Sequence, residues 1–319
     1  MSNICSYYRV NPDTFRKHYK HKISDFKTWN QLSHCEKYML FAKNIGKRLS
    51  IDEVALSKGE LYTFITNKEG KGKKNTIVAC IEGTKATDIV AVLKKIPIKL
   101  RAEVTEITLD MAKNMEAAAR EAFPMATLVT DRFHVVRLSQ QAMQNIRIKL
   151  GWKELDLENK KLAEAKKKKE IYKPEILENG DTPKQLLTRC RYVFAKKEDQ
   201  WTENQKERAK IAFQKYPTLE IAYKHTIKIR KCYENKSKID AMIDFKNWIN
   251  QTRENKYQDF NTLANTVENN FNNILNYFNN RSTNASAESF NSKIKLFRAN
   301  QRGVVDTKFF LFRLMNLFA

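Results

Sequence analysis

Hydrophobic residues occur in short runs separated by polar turns over residues 48 to 131, a pattern typical of β-strands. The runs predict five strands, at residues 49–56, 61–66, 76–81, 104–110 and 127–130. The turns between the first three strands contain Gly59, Gly70 and Gly72, so antiparallel hairpins are expected there. This part of the chain is therefore predicted to form a sheet.

Helical patterns alternate with the later strands. They cover 86–95 and 112–123, each followed by a proline, and a third helix begins near His134. The resulting order, β-β-β-α-β-α-β-α, is that of the RNase H-like fold. In that fold the first and fourth strands are neighbours. Asp52 and Asp110 are therefore expected to come close together, although 110 − 52 = 58 residues separate them.

The parts of the chain on either side of this region are predicted to be helical. Residues 1–46 contain a candidate N-cap, Asn11, followed by Pro12 at the first helical position. This segment is either a helix-turn-helix that binds DNA through Arg16 and Lys17, or a basic lead-in that packs on the next domain. The predicted class is α/β, an RNase H-like mixed sheet with flanking helices and a large all-α insertion.

The predicted domains are a helical segment at 1–46, the first part of the core at 47–150, a helical insertion at 151–280, and C-terminal core helices at 281–319. Within the insertion, apolar residues spaced by three and four run from Phe260 to Phe278 and predict a packing face. A lysine-rich run at 160–169 is expected to be a solvated surface, with phosphate contact as the alternative.

The charge balance is strongly basic. The 319 residues include 59 Lys and Arg against 36 Asp and Glu, so the formal charge is 59 − 36 = +23. Solubility alone does not require such an excess, and a polyanion, first of all nucleic acid, is the expected partner. A chain with 42% hydrophobic residues and 18 Phe has enough apolar material for real cores.

The sequence gives no indication of a membrane or secreted protein. No run approaches the roughly 20 apolar residues of a membrane span, and the first residues lack a signal-peptide core. The five cysteines are too far apart in sequence for a zinc-binding pair and show no disulfide pattern. A cytoplasmic protein with reduced cysteines and no membrane partner is expected.

Three acidic residues lie where metal-binding carboxylates are expected. Asp52 lies inside an apolar strand and Asp110 ends another, where a carboxylate is costly to bury unless a cation or hydrogen bonds compensate it. Glu288 opens a predicted helix, with Asn284 as its N-cap and with Glu288 and Lys295 on the face opposite Phe290. For Glu288 alone, an ordinary acidic residue at a helix start is an equal alternative.

A fourth acidic residue follows the last strand. Asp131 and His134 are three residues apart at the edge where Asp52 and Asp110 should converge. Taken alone, such a pair is more often structural, with the histidine satisfied by a capping bond. Its position in the sequence after Asp52 and Asp110 and before Glu288 favours a functional site over a structural role.

The sequence resembles the DDE transposases of bacterial insertion sequences, specifically the ISL-three type. The matching stretches are Ile51–Glu53, Leu109–Met111, Val129–Val135, Tyr277–Asn284, and Glu288 to Lys295 with Arg298 and Gly303 behind, and together they cover about residues 48 to 316. The resemblance implies that Asp52, Asp110 and Glu288 are the catalytic, metal-binding triad. It also implies that Asp131 and His134 are an accessory motif.

The resemblance further implies an enzyme that binds the terminal inverted repeats of its element and target DNA, both double-stranded. Two Mg²⁺ or Mn²⁺ ions would support strand cleavage and strand transfer. Candidates for DNA phosphate contacts are Arg281, Lys293, Lys295, Arg298 and Arg302, besides Arg16 and Lys17. A homo-oligomer is expected in the active complex, because two ends must be cut in concert, and the location expected is the bacterial nucleoid.

The chain departs from the family pattern in one respect. Members often begin with a cysteine-rich zinc element and helix-turn-helix segments, whereas here about 45 residues without such cysteines precede the first strand. Either the N-terminal helices recognise the ends or a separate DNA-binding polypeptide does. Two alternative functions remain: a structure-selective nuclease on the same fold, and a non-catalytic DNA-binding protein derived from a transposase.

Overall fold

The computed structural model describes residues 2–57, 59–255, 257–301 and 303–319. The chain forms two compact units. The first combines the residues up to Asp131 with Arg281–Ala319, and the second is Arg132–Asn280. The second unit thus begins at Arg132, whereas the sequence pattern placed the start of the insertion at residue 151.

The elements of the first unit up to Asp131 are two N-terminal helices and a mixed series of strands and helices. They are α1 (Ser2–Tyr7), α2 (Pro12–His18), β1 (Tyr38–Leu40), β2 (Arg48–Ser57), β3 (Glu60–Asn67), β4 (Ile77–Glu82), α3 (Ala86–Leu93), α4 (Ile98–Ala102), β5 (Glu106–Leu109), α5 (Lys113–Ala122) and β6 (Thr127–Thr130).

The described residues of the second unit form helices joined by loops, without a strand, and two further helices complete the first unit. The second unit contains α6 (Arg132–Lys168), α7 (Pro183–Arg189), α8 (Glu203–Lys215), α9 (Pro217–Cys232), α10 (Lys238–Glu254), α11 (Gln258–Asn269), α12 (Phe271–Leu275) and α13 (Tyr277–Asn280). The first unit ends with α14 (Ala285–Asn300) and α15 (Thr307–Phe318).

The six strands form one sheet in the order β1-β4-β3-β2-β5-β6. Strands β2, β3 and β4 pair antiparallel, as the hairpin turns predict, while β5 runs parallel to both β2 and β6. The predicted first and fourth strands, now β2 and β5, are neighbours. The predicted RNase H-like mixed sheet with flanking helices is confirmed.

Two features of the sheet region differ from the sequence prediction. Residues 1–46 were predicted to be helical, but Tyr38–Leu40 pairs with β4 as an edge strand. Three residues are too few to show the alternation by which a strand is recognised, so the sequence carries no signal for it. The helix expected near His134 begins at Arg132, directly after Asp131.

Each face of the sheet is covered by its own pair of helices. Leu49 and Ile51 of β2 pack with apolar residues of α3 and α5. Val54 and Leu56, on the other face, pack with residues of α14 and α15. Because side chains alternate along a strand, Asp52 points to the same face as Val54 and Leu56, the face that α14 covers.

The second unit is built on buried apolar side chains of its own. The stripe predicted as a packing face is buried, for example at Phe260 and Ile274, but three short helices carry it rather than one continuous helix. The lysine-rich run at 160–169 is exposed at the end of α6 and just beyond it, as expected for a solvated surface. Among the described residues, no helix is both long and apolar enough to span a membrane.

Candidate active site at the ends of the parallel strands

Asp52, Asp110 and Asp131 fall in one row, called the aspartate row below, when the registers of β2, β5 and β6 are extended beyond their last pairs. Between β2 and β5 the pairing joins residues 58 apart, such as Ser50 and Thr108, and between β5 and β6 it joins residues 21 apart, such as Leu109 and Thr130. Extending the β2–β5 pairing by two residues places Asp110 opposite Asp52, because 110 − 52 = 58. Extending the β5–β6 pairing by one residue places Asp131 beside Asp110, because 131 − 110 = 21. Residues in one row point to the same face, so the three carboxylates share one edge of the sheet.

Hydrogen bonds hold the carboxylates of the first two aspartates. Asp52 is half-buried, and its Oδ1 accepts from the backbone N–H of Glu53 at 2.9 Å. Its Oδ2 accepts from the Nδ2 of Asn291 at 2.8 Å. Asp110, also half-buried, accepts from the backbone N–H of Ala112 at 2.8 Å. A carboxylate can accept at about four lone-pair sites, so the bond from Ala112 leaves Asp110 able to accept further ligands.

Negative charge is crowded at this edge. The pKa of Glu53 is raised above its ordinary value, first by burial and then by the charges of Asp110 and Asp52. Like charges raise a carboxyl pKa in this way only when they lie close to it. Glu53 therefore lies near both aspartates. The sequence prediction did not include Glu53, whose only signal is that it follows Asp52.

Glu288 is brought to the same face by α14. Phe290 and Ile294, both 1% exposed, anchor this helix on the sheet, and Glu288 is exposed on its other side, as the predicted amphipathic pattern requires. Residues three apart on a helix lie on the same side, so Glu288 lies one turn before Asn291, which bonds Asp52. The start of α14 is therefore held next to the aspartate row.

The donor set fits a divalent metal. Carboxylate oxygens are the ligands that Mg²⁺ and Mn²⁺ prefer. Within residues 2–57, 59–255, 257–301 and 303–319, no three His, Cys, Asp or Glu side chains are already close enough together to hold a metal ion. Asp52 lies on β2, Asp110 directly follows the neighbouring strand β5, and Glu288 lies on α14.

Asp131 connects the end of β6 to the start of α14. Its side chain is fully buried, and its Oδ1 accepts from the backbone N–H of Asn284 at 3.3 Å. Asn284 has the predicted N-cap position, but its side chain makes no capping bond. Its carbonyl oxygen accepts from the N–H of Glu288 at 2.9 Å. His134, the other residue of the accessory motif, is half-buried in the first turn of α6 and belongs to the second unit.

A half-buried lysine lies further along the same face of the sheet. Lys68 Nζ lies 3.3 Å from Glu106 Oε1 and also donates to the hydroxyl of Thr108. Burial lowers the pKa of Lys68, an effect that the nearby charge of Glu106 opposes. Glu106 and Thr108 alternate with buried apolar residues on β5, so this ion pair lies in the rows just before Asp110. No sequence signal pairs Lys68 with Glu106, because the contact depends on strand order.

The predicted DNA-binding residues of α14 differ in their surroundings. Lys293 is half-buried and donates from Nζ to the carbonyl oxygen of Gly72 at 2.7 Å. Lys295 is exposed, and Arg298 is half-buried. Arg302 lies outside the described residues. Arg281 is exposed just before the helix, with a left-handed φ of 55°.

The N-terminal segment packs on α15. Phe26 contacts Phe309 and Phe312, with ring centroids 5.2 and 5.4 Å apart, and Lys20 pairs with Asp306. This is the arrangement of a lead-in that packs on the next domain. Asn11 caps α2 as predicted and accepts from the backbone N–H groups at positions 13 and 14.

The predicted DNA contacts of the N-terminal segment are both on α2. Arg16 and Lys17 are exposed there, and Arg16 lies 3.3 Å from Asp13. Both side chains are accessible to a large partner.

A family model for transposases, of the DDE type and the ISL-three group, matches residues 49–314. The match covers most of the chain and includes Asp52, Asp110, Asp131 and Glu288. No curated protein and no solved structure matches the chain.

Proposed function

The chain belongs to the DDE transposase family of the ISL-three type, and from this premise we propose that it cuts DNA at the ends of an insertion sequence and joins the freed ends to target DNA. The observation that supports the proposal best is the register of the parallel strands. Strands β2 and β5 pair with a constant offset of 58 residues as far as Ser50 and Thr108, and the same offset relates Asp52 to Asp110 two residues further along. Two acidic residues placed at random in the sequence would not be expected to share this strand offset at the edge next to α14.

Each of the three carboxylates has a part in the proposed chemistry. Asp52, Asp110 and Glu288 would hold the metal ions through their carboxylate oxygens. Bound Mg²⁺ or Mn²⁺ makes a water molecule or a 3′-hydroxyl a stronger nucleophile and stabilises the leaving oxygen at phosphorus. The protein supplies the placement: β2 and β5 fix the two aspartates, and α14 carries Glu288.

Positive charge supplies the affinity for DNA. The formal charge of +23 favours a polyanionic partner, and exposed cations such as Lys295 lie on the helix that carries Glu288. These contacts position the DNA backbone rather than specify a sequence. The N-terminal segment, with Arg16 and Lys17 exposed on α2, is the proposed contact with the terminal repeats. A homo-oligomer is the proposed active form, because two ends are processed together.

The proposed function is tested by incubating the protein with duplex DNA from the flanks of its own gene and Mg²⁺ or Mn²⁺. We expect defined cuts at the element ends and strand-transfer products. Asp110→Asn should abolish both while DNA binding persists, and Asp88→Asn, an exposed acidic residue on α3, serves as the matched control. Cuts without strand transfer would support a structure-selective nuclease, and binding without any cut would support a non-catalytic DNA-binding protein.

A further inference from the structure

Asn291 is the one side chain of α14 that the described structure shows bonded to a proposed catalytic carboxylate. Its Nδ2 lies 2.8 Å from Asp52 Oδ2, across 239 residues of sequence. An ionised carboxylate only accepts hydrogen bonds, so the amide nitrogen, not the amide oxygen, must face it. This fixes the orientation of the whole amide group.

The orientation leaves the amide oxygen turned away from Asp52 Oδ2. Asn291 Oδ1 is buried, and within the described part of the chain it has no hydrogen-bond partner. A buried acceptor without a partner costs about 1–3 kcal/mol, so native structures rarely keep one without a reason. Side-chain amide oxygens are established ligands of hard cations and of the water molecules bound to them.

The surroundings of this oxygen are those of a cation site. Asp52 lies next to it, because the Nδ2 of the same amide group bonds Asp52 Oδ2. Glu288 lies one helical turn before it on the same side of α14. A neutral amide oxygen adds a ligand to such a site without adding further negative charge.

We propose that Asn291 belongs to the metal site, with Nδ2 orienting Asp52 and Oδ1 facing the cation or a water molecule bound to it. The inference rests on the proposed function, because it assumes that Asp52 is a metal ligand. It adds a residue with two tasks: it positions a carboxylate and completes the shell of oxygen atoms. Anchoring by Phe290 and Ile294 on the neighbouring face of α14 keeps the amide in place.

The test measures metal binding apart from catalysis. The full chain is titrated with Mn²⁺, alone and with duplex DNA from the element end, and bound Mn²⁺ is determined by electron paramagnetic resonance. Thermal unfolding is recorded with and without Mn²⁺. The variants are Asn291→Leu, which removes both polar atoms at similar volume, and Asn291→Asp, which replaces the amide nitrogen with a charged oxygen. The matched control is Asn300→Leu, on the exposed end of the same helix.

Asn291→Leu should weaken Mn²⁺ binding about 10- to 100-fold, the range found when an outer partner of a metal ligand is lost. For Asn291→Asp, the expected changes are in the unfolding temperature. Repulsion from Asp52 should lower its unfolding temperature without metal, and Mn²⁺ should raise that temperature by more than in the wild type. Asn300→Leu should match the wild type in both measurements.

The inference is overturned if Asn291→Leu binds Mn²⁺ as the wild type does. If Asn291→Leu does not fold, Asn291→Asp decides alone, and a Mn²⁺-induced shift no larger than in the wild type overturns the inference. Failure of the proposed function looks different: the wild type itself then neither binds Mn²⁺ in the presence of DNA nor cuts.

Discussion

Asp131 at the end of β6 accepts a hydrogen bond from the backbone N–H of Asn284 at the start of α14, although 153 residues separate them in sequence. The same Asn284 accepts through its carbonyl oxygen from the N–H of Glu288. A buried carboxylate thus fixes the first turn of the helix that carries the third proposed catalytic residue. Asp131 is, on this account, a residue that positions Glu288.

Replacing Asp131 should therefore slow cleavage through misplaced geometry. Misplacement of a catalytic group by about 1 Å can cost a factor of about 10² in rate, and we expect a loss of that order for Asp131→Ala. Mn²⁺ binding to Asp52 and Asp110 should persist, which single-turnover cleavage and Mn²⁺ titration together measure. Unchanged cleavage in a folded Asp131→Ala protein would mean that the contact with Asn284 does not position the helix.

Lys293 and Lys295 give a matched pair for the DNA contacts of α14. Lys295 is exposed, whereas the ammonium group of Lys293 is held by the carbonyl of Gly72. Lys295→Ala should reduce the slope of log affinity against log salt by about 0.9, the value for one lost phosphate contact. Lys293→Ala should leave that slope unchanged. Binding titrations at several salt concentrations decide, and equal slopes for both variants would contradict the distinction.

Phe290 should be important for stability because it anchors α14 on the sheet. Its ring lies 6.1 Å from that of Phe64 and 5.2 Å from that of Phe318, measured between centroids. Phe290→Ala should lower the free energy of unfolding by about 3–5 kcal/mol, as for other buried aromatic truncations. Leu296→Ala, on the same helix but 62% exposed, should change it by less than about 0.5 kcal/mol. Urea unfolding of both variants measures the difference.

The pair formed by Lys20 and Asp306 should make stability depend on pH. Burial would raise the pKa of Asp306, but hydrogen bonds from Lys20 and from the N–H of Phe309, with the charge of Lys20, lower it below its ordinary value of 3.8. A lowered folded pKa stabilises the protein above that ordinary value, and the contribution is lost as the pH falls through the folded pKa.

Asp306→Asn should therefore be less stable than the wild type at about pH 6, and the difference should shrink at about pH 3. Urea unfolding at both pH values tests this. A difference that does not change with pH would mean that the charge of Asp306 makes no contribution.

The sequence was sufficient for the features that follow from local patterns. Apolar runs located β2 to β6, and strand order alone predicted that the strands of Asp52 and Asp110 are neighbours, which the parallel pairing confirms. The amphipathic spacing around Glu288 predicted which side of α14 is buried. Each of these predictions depends on residues close in sequence or on a known order of elements.

The remaining features depend on contacts between distant segments. The bond between Asn291 and Asp52 and the pairing of Lys68 with Glu106 join elements whose approach no local pattern encodes. The edge strand Tyr38–Leu40 is too short to show alternation, and its place follows from pairing with β4. The Phe260–Phe278 stripe is divided among three helices, yet its apolar residues keep the spacing of a single helix. The sequence therefore does not show where each helix ends.

The central claim is that Asp52, Asp110 and Glu288 bind the metal that supports DNA cleavage, and exchanging one of these ligands for a thiolate tests it most directly. Thiolates bind soft or borderline metals far better than Mg²⁺. Cleavage of element-end duplex by Asp110→Cys is measured with Mg²⁺, with Mn²⁺ and with Cd²⁺ added to Mg²⁺. We predict no cuts with Mg²⁺ and partial recovery at the same positions with Mn²⁺ or Cd²⁺. Undiminished cutting by Asp110→Cys with Mg²⁺ alone would contradict a role for Asp110 in binding the metal.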